Sequence, residues 1–158
     1  MLASEERKLV VLGDSGVGKT ALVQYFVRRI FPSEYKSTTG AVPYKKTVEI
    51  GKRTVNLTIW DLAGSTLKLH PAYISDAHGA VLVCDLSRQA SFDSVLQWHR
   101  VIKNKVGDIP VIVAGNKSDI ADTDRCGALR KAGYTGHKTS AKTGDNVDRV
   151  FMDLVSLI

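Results

Sequence analysis

The stretch Gly13-Asp14-Ser15-Gly16-Val17-Gly18-Lys19-Thr20 constrains this chain more than any other. It fits the pattern G-x-x-x-x-G-K-[ST]. It follows a strongly apolar run, Lys8 to Leu12, and precedes a helical stripe of Leu22, Val23, Phe26, Val27 and Ile30. A strand, a glycine-rich loop and a helix in that order make a phosphate cradle. The glycines let successive backbone N–H groups turn inward, and the helix start adds partial positive charge. Lys19 can reach terminal phosphates, and the Thr20 hydroxyl can ligate Mg²⁺.

The rest of the chain repeats the same alternation. Tyr44 to Ile50 and Arg53 to Trp60 read as two strands joined by a tight turn at Gly51-Lys52. Ala80 to Asp85 and Pro110 to Ala114 read as buried strands. Phe92, Val95, Leu96 and Ile102 mark a helix ending near Gly107, and Val147, Val150, Phe151, Leu154, Val155 and Ile158 mark a closing helix. This predicts one α/β domain over residues 1–158, with a mostly parallel sheet covered on both faces. Ligands of such sheets bind at the carboxyl ends of the strands, where the motifs of this chain fall.

Composition removes competing classes. Of 158 residues, 44% are hydrophobic and 24% charged, which suits a globular domain. The longest apolar run, Ala80 to Cys84, is far short of the roughly 18 residues that span a bilayer. Neither a secretory signal, a myristoylation glycine nor a prenylation cysteine is expected, and two cysteines outside any motif point to a reducing compartment. The net charge of +6 is scattered, with no aromatic residues between the basic ones, so no nucleic-acid partner is expected.

Which nucleotide is read further along. Asn116-Lys117-Ser118-Asp119 follows a buried strand, and Ser140-Ala141-Lys142 follows the last one. Guanine presents two neighbouring donors that one carboxylate, Asp119, can accept together, and adenine would leave that carboxylate unpaired. The Ala141 N–H can meet the guanine carbonyl oxygen.

With these motifs in this order, the chain resembles the Ras superfamily of small GTPases over Leu9 to Ile158, and most closely its Rab branch. The phosphate loop, Trp60-Asp61 and Ala77-His78-Gly79 carry the Rab character. The resemblance implies a P-loop G domain whose six-stranded sheet has one antiparallel edge strand, binding GTP or GDP with Mg²⁺. It implies that Asp14, Ser15, Gly16, Val17, Gly18, Lys19, Thr20 and Ala21 hold the phosphates, and that Phe31 packs on the guanine edge. Tyr35 would cover the phosphates. Thr38, 18 residues after Thr20, would bind Mg²⁺ and sense the γ-phosphate. In Asp61-Leu62-Ala63-Gly64, Asp61 would hold Mg²⁺ through water and Gly64 would bond the γ-phosphate. Asn116, Lys117, Asp119, Ser140, Ala141 and Lys142 would form the guanine pocket. Thr20, Thr38 and Asp61 are thus the implied metal residues. Lys19, Thr38, Gly64 and Ser65 are the implied catalytic set.

Departures from the family pattern bear on function. Ser65 stands where most Ras-like proteins have Gln to orient the attacking water, which predicts slow GTP hydrolysis. A glutamine from a GAP, or His70, are the alternative water-positioning groups. The segment Ser65 to Ala77 is short and contains Pro71, so standard Rab effectors and exchange factors are not expected to recognise it. Between Asp119 and Ser140 an abbreviated, mobile helix carrying Gly127 is expected. Pro43 marks an edge strand.

The leading expectation is a GTP/GDP switch acting on protein effectors under an exchange factor and a GAP, in membrane traffic or transport. Against it stand a GTP-binding interaction module with little hydrolysis, and a P-loop kinase or ATPase, which Asp119 disfavours. The expected location is cytoplasmic, peripheral at membranes only through a partner or a lipidated tail.

Overall fold

A computed structural model describes residues 3–34, 38, 40–64, 70–121 and 125–158. The elements are β1 (Ser4–Leu12), α1 (Lys19–Arg28), β2 (Ala41–Ile50), β3 (Arg53–Leu62), β4 (Gly79–Asp85), α2 (Gln89–Asp93), α3 (Val95–Lys105), β5 (Val111–Asn116), α4 (Arg125–Lys131), β6 (Thr135–Lys138) and α5 (Val147–Ser156). The sheet has six strands in the order β2-β3-β1-β4-β5-β6. β2 is antiparallel to β3, and every other pairing is parallel.

Side-chain alternation divides the apolar runs between two cores. Leu9, Val11, Val81 and Val83 face one layer with α1 and α5. Their neighbours Val10, Leu12, Ala80 and Leu82 face the other, with Val95, Trp98 and Ile102 of α3 and Cys126 and Leu129 of α4. The first core centres on a stacked pair, Phe26 and Phe151, with ring centroids 4.3 Å apart and planes 9° from parallel.

Several element ends differ from expectation. β1 begins at Ser4 rather than Lys8, because its polar start pairs along β3 from Thr54 onward. There Glu5 accepts from Arg53 at 2.8 Å and 3.0 Å, and Glu6 accepts from Asn56 at 2.8 Å. β5 runs on to Asn116, held by the register pair Asp85–Asn116. α1 stops at Arg28, since Arg29 turns left-handed with φ 57°, so Ile30 is exposed rather than part of the stripe. The predicted single helix from Phe92 to Ile102 divides at Ser94. Its hydroxyl lies 2.7 Å from the Asp14 carboxylate and 3.0 Å from the Ala90 carbonyl, which ties this point to the loop before α1. Leu96 is on the outside. α5 ends at Ser156, short of Ile158.

Other expectations stand. β2, carrying Pro43, is the edge strand. α4 is short and contains Gly127. Pro71 opens a single 3-10 turn, Pro71–Tyr73. Among the described residues no helix is long and apolar enough to cross a membrane.

The stacked pair gives a test of the core. Phe151→Ala, at a site with no exposure, should cost about 3–5 kcal/mol and lower the urea midpoint at unchanged slope.

Candidate functional site

The carboxyl ends of β1, β3, β4 and β5 and the start of α1 converge on a cleft of about 880 Å³. Ser15, Gly16 and Gly18 form its floor. Gly18 has φ 101° and precedes α1, and a Cβ there would lie 2.2 Å from Asn116 Nδ2. Glycine is therefore required both by torsion and by the close approach of Asn116. Lys19 is 6% exposed and its ammonium donates to the carbonyls of Gly13 (2.8 Å) and Asp14 (2.9 Å). Burial pulls its pKa down to about 8, opposed by the charges of Asp61 and Asp14.

At the other wall, Asn116 is buried and acts as a strut. Its amide donates to the Val17 carbonyl at 3.0 Å. Its oxygen accepts from the Thr139 hydroxyl at 3.2 Å and the Ala141 N–H at 3.4 Å. Lys117, at φ 63°, sends its ammonium back across the floor to the Gly16 carbonyl (2.9 Å) and the Asp85 carboxylate (3.0 Å). Burial raises the Asp85 pKa, but hydrogen bonds from Ser87 and Lys117 outweigh it and hold the carboxyl below its usual value. Asp119 accepts from the Ser140 hydroxyl at 2.8 Å, and Ser140 in turn accepts from the Thr143 N–H at 3.2 Å. The carboxylate is thus fixed in the cleft beside Asn116 and Ala141. Lys142 and the half-exposed Phe31 also line it.

A third group lies beside α1. Thr20 Oγ1 donates to Asp61 at 2.5 Å and lies 2.8 Å from Thr38 Oγ1. Asp61 is buried, which raises its pKa, and its Oδ1 has no hydrogen-bond partner among the described residues. An orphaned carboxylate oxygen next to two hydroxyls is a hard, oxygen-only donor set, which fits Mg²⁺. Gly64 presses against the loop so closely that a Cβ would sit 2.2 Å from the Ser15 amide nitrogen. Val17 is fully buried and Ala21 half-buried, and Ala21 lines the cleft. Tyr35 and Ser65 lie outside the described residues. His70 faces solvent, and its Nδ1 accepts the Ala72 N–H at 3.1 Å, which caps the 3-10 turn.

Sequence reasoning missed a second ring of supports. The Asp14 carboxylate points away from Lys19 and accepts from Trp98 Nε1 (2.8 Å) and Ser94 Oγ (2.7 Å) of the neighbouring helices. Arg88 donates to the Ser15 carbonyl at 2.8 Å. The one available signal was Asp85, a charge ending an otherwise apolar strand.

The Ras family model matches residues 8–158. The chain is 36% identical to Ras-related protein RABA2b of Arabidopsis thaliana, over 96% of this chain and 75% of that protein. It is 35% identical to Ras-related protein Rab11A of Nicotiana tabacum, over 94% and 73%. It is 32% identical to Ras-related protein Rab-19 of Mus musculus, over 92% and 71%.

The Trp98 support is open to test. Trp98→Phe keeps an aromatic ring and removes the N–H, so stability should fall by about 1–3 kcal/mol in urea. A cycle with Asp14→Ala should show a coupling of about 0.5–3 kcal/mol between the two positions.

Proposed function

Because the chain belongs to the Ras family of small GTPases, we propose that it is a GTP/GDP-dependent switch that hydrolyses GTP slowly. The observation that carries this reading is the position of Asp119. It is held by Ser140 beside Asn116, whose amide also grips the phosphate loop at Val17. One rigid assembly then offers an acceptor to two neighbouring base donors and a cradle to the phosphates.

In this reading the Lys19 ammonium exchanges the Gly13 and Asp14 carbonyls for the terminal phosphate oxygens. Thr20 and Thr38 offer hydroxyls and Asp61 a carboxylate to Mg²⁺, which when bound offsets the phosphate charge. The Gly64 N–H and the Thr38 hydroxyl sense whether a third phosphate is present. Losing it frees the two segments they belong to. In hydrolysis the oxygen of water attacks the γ-phosphorus, the bond to the bridging oxygen breaks, and GDP and phosphate leave. Ser65 is too short to orient that water as a glutamine would, which limits the rate.

The output is recognition by effectors, under an exchange factor and a GAP. From the Rab resemblance we infer that the setting is vesicle traffic. Ser65 also favours a second reading, a GTP-binding interaction module that is reset by exchange rather than by hydrolysis.

Two measurements bear on these claims. Asp119→Ala removes two charge-assisted bonds of about 1.5–3 kcal/mol each, so GDP affinity should drop roughly 10²- to 10⁴-fold, while excess ATP should fail to displace GDP from the unaltered protein. Ser65→Gln should accelerate single-turnover GTP hydrolysis. An unchanged rate would clear Ser65 as the cause of slowness.

A further inference from the structure

A second cavity, of about 470 Å³, lies along the outer edge of β6. α4 packs against that strand, and His137 of the strand bonds Asp153 of α5, so side chains from three elements meet there. They are Arg130 of α4, His137 and Lys138 of β6, and Arg149 of α5.

The charges are unbalanced. Asp153 accepts from His137 Nε2 at 2.9 Å and lies 4.0 Å from Arg149 Nε. No carboxylate pairs with Arg130 or Lys138 among the described residues. Cations gathered in this way repel one another unless an anion joins them.

The strand edge offers the anion donors rather than acceptors. The Thr139 N–H bonds the Gly115 carbonyl of β5, so by alternation Gly136 and Lys138 turn their backbone groups outward. Both outward carbonyls are already covered: Arg130 Nε donates to Gly136 O at 3.4 Å and Asn146 Nδ2 to Lys138 O at 2.9 Å. A peptide strand added here would find its acceptors blocked. A compact anion would meet N–H donors and cations, with the Thr135 hydroxyl alongside and Asp153, already engaged by His137, as the neighbouring carboxylate.

We infer that the cavity between Arg130, Lys138 and Arg149 at the outer edge of β6 is a binding site for a phosphate group carried on a small ester or a lipid headgroup. Guanidinium groups bind phosphate through paired, charge-assisted hydrogen bonds, and two of them flank this cavity.

The experiment follows backbone amide resonances of the whole chain in excess GDP and magnesium, so that the first cleft is filled. Inorganic phosphate and inositol 1,4,5-trisphosphate are titrated in turn. Saturable shifts at Gly136, Lys138 and Arg149 are expected. Removing either cation, by Arg130→Ala or by the exposed Arg149→Ala, should weaken binding about tenfold or more, while the unrelated pair Lys45→Ala and Lys52→Ala should leave it unchanged. Binding to vesicles containing phosphatylinositol phosphates, lost in the same variants, identifies a lipid source. Binding of soluble phosphates without vesicle binding identifies a free ester. No shift at β6, equal weakening by the Lys45 and Lys52 changes, or tighter binding of a phosphate-free acidic peptide would overturn the proposal.

Discussion

The amide of Asn116 holds the two halves of the cleft in register. It is buried at the end of β5 and bonds the loop before α1, the end of β6 and the turn before α5. A buried amide satisfied on both ends rigidifies what it touches, and one left half-satisfied is costly. Gly18 is shaped around the same side chain, since any Cβ there would strike it. In the proposed reading, base recognition and phosphate recognition are thereby parts of one structure rather than neighbours on a surface.

Around that strut, charge is held in reserve. Lys19 rests on backbone carbonyls and Asp61 keeps one oxygen unbonded among the described residues, each at an energetic disadvantage caused by burial. A ligand bearing phosphate and a divalent ion would relieve both together. The supports behind them face the other way. Asp14 is tied to Trp98 and Ser94, and Arg88 to Ser15. The loop is therefore clamped from outside the cleft, leaving its inner N–H groups to the ligand.

How much of this was readable in advance depended on sequence distance. The phosphate loop, Asn116 to Asp119 and Ser140 to Lys142 are short segments whose local geometry follows from their own residues, and the structure brings all three to one cleft. The buried strands were readable because β4 and β5 are apolar on both faces. Asp14 and Trp98 lie 84 residues apart, and nothing in either neighbourhood signals the other. The polar start of β1 was missed because its pairing partner, not its own pattern, makes it a strand. The bond from Ser94 to Asp14 was missed for the same reason, since the two lie 80 residues apart.

Pro43 has a consequence for how the molecule meets others. Gly40 O accepts the Ala63 N–H, so alternate residues of β2 face β3 and Pro43 faces outward. That margin of the sheet lacks a donor at its third residue, while the opposite margin has its acceptors covered by Arg130 and Asn146. Neither rim offers a full row of backbone partners, so the sheet cannot readily be extended into a fibre or zipped to another chain. Whatever docks here must read side chains as well as backbone.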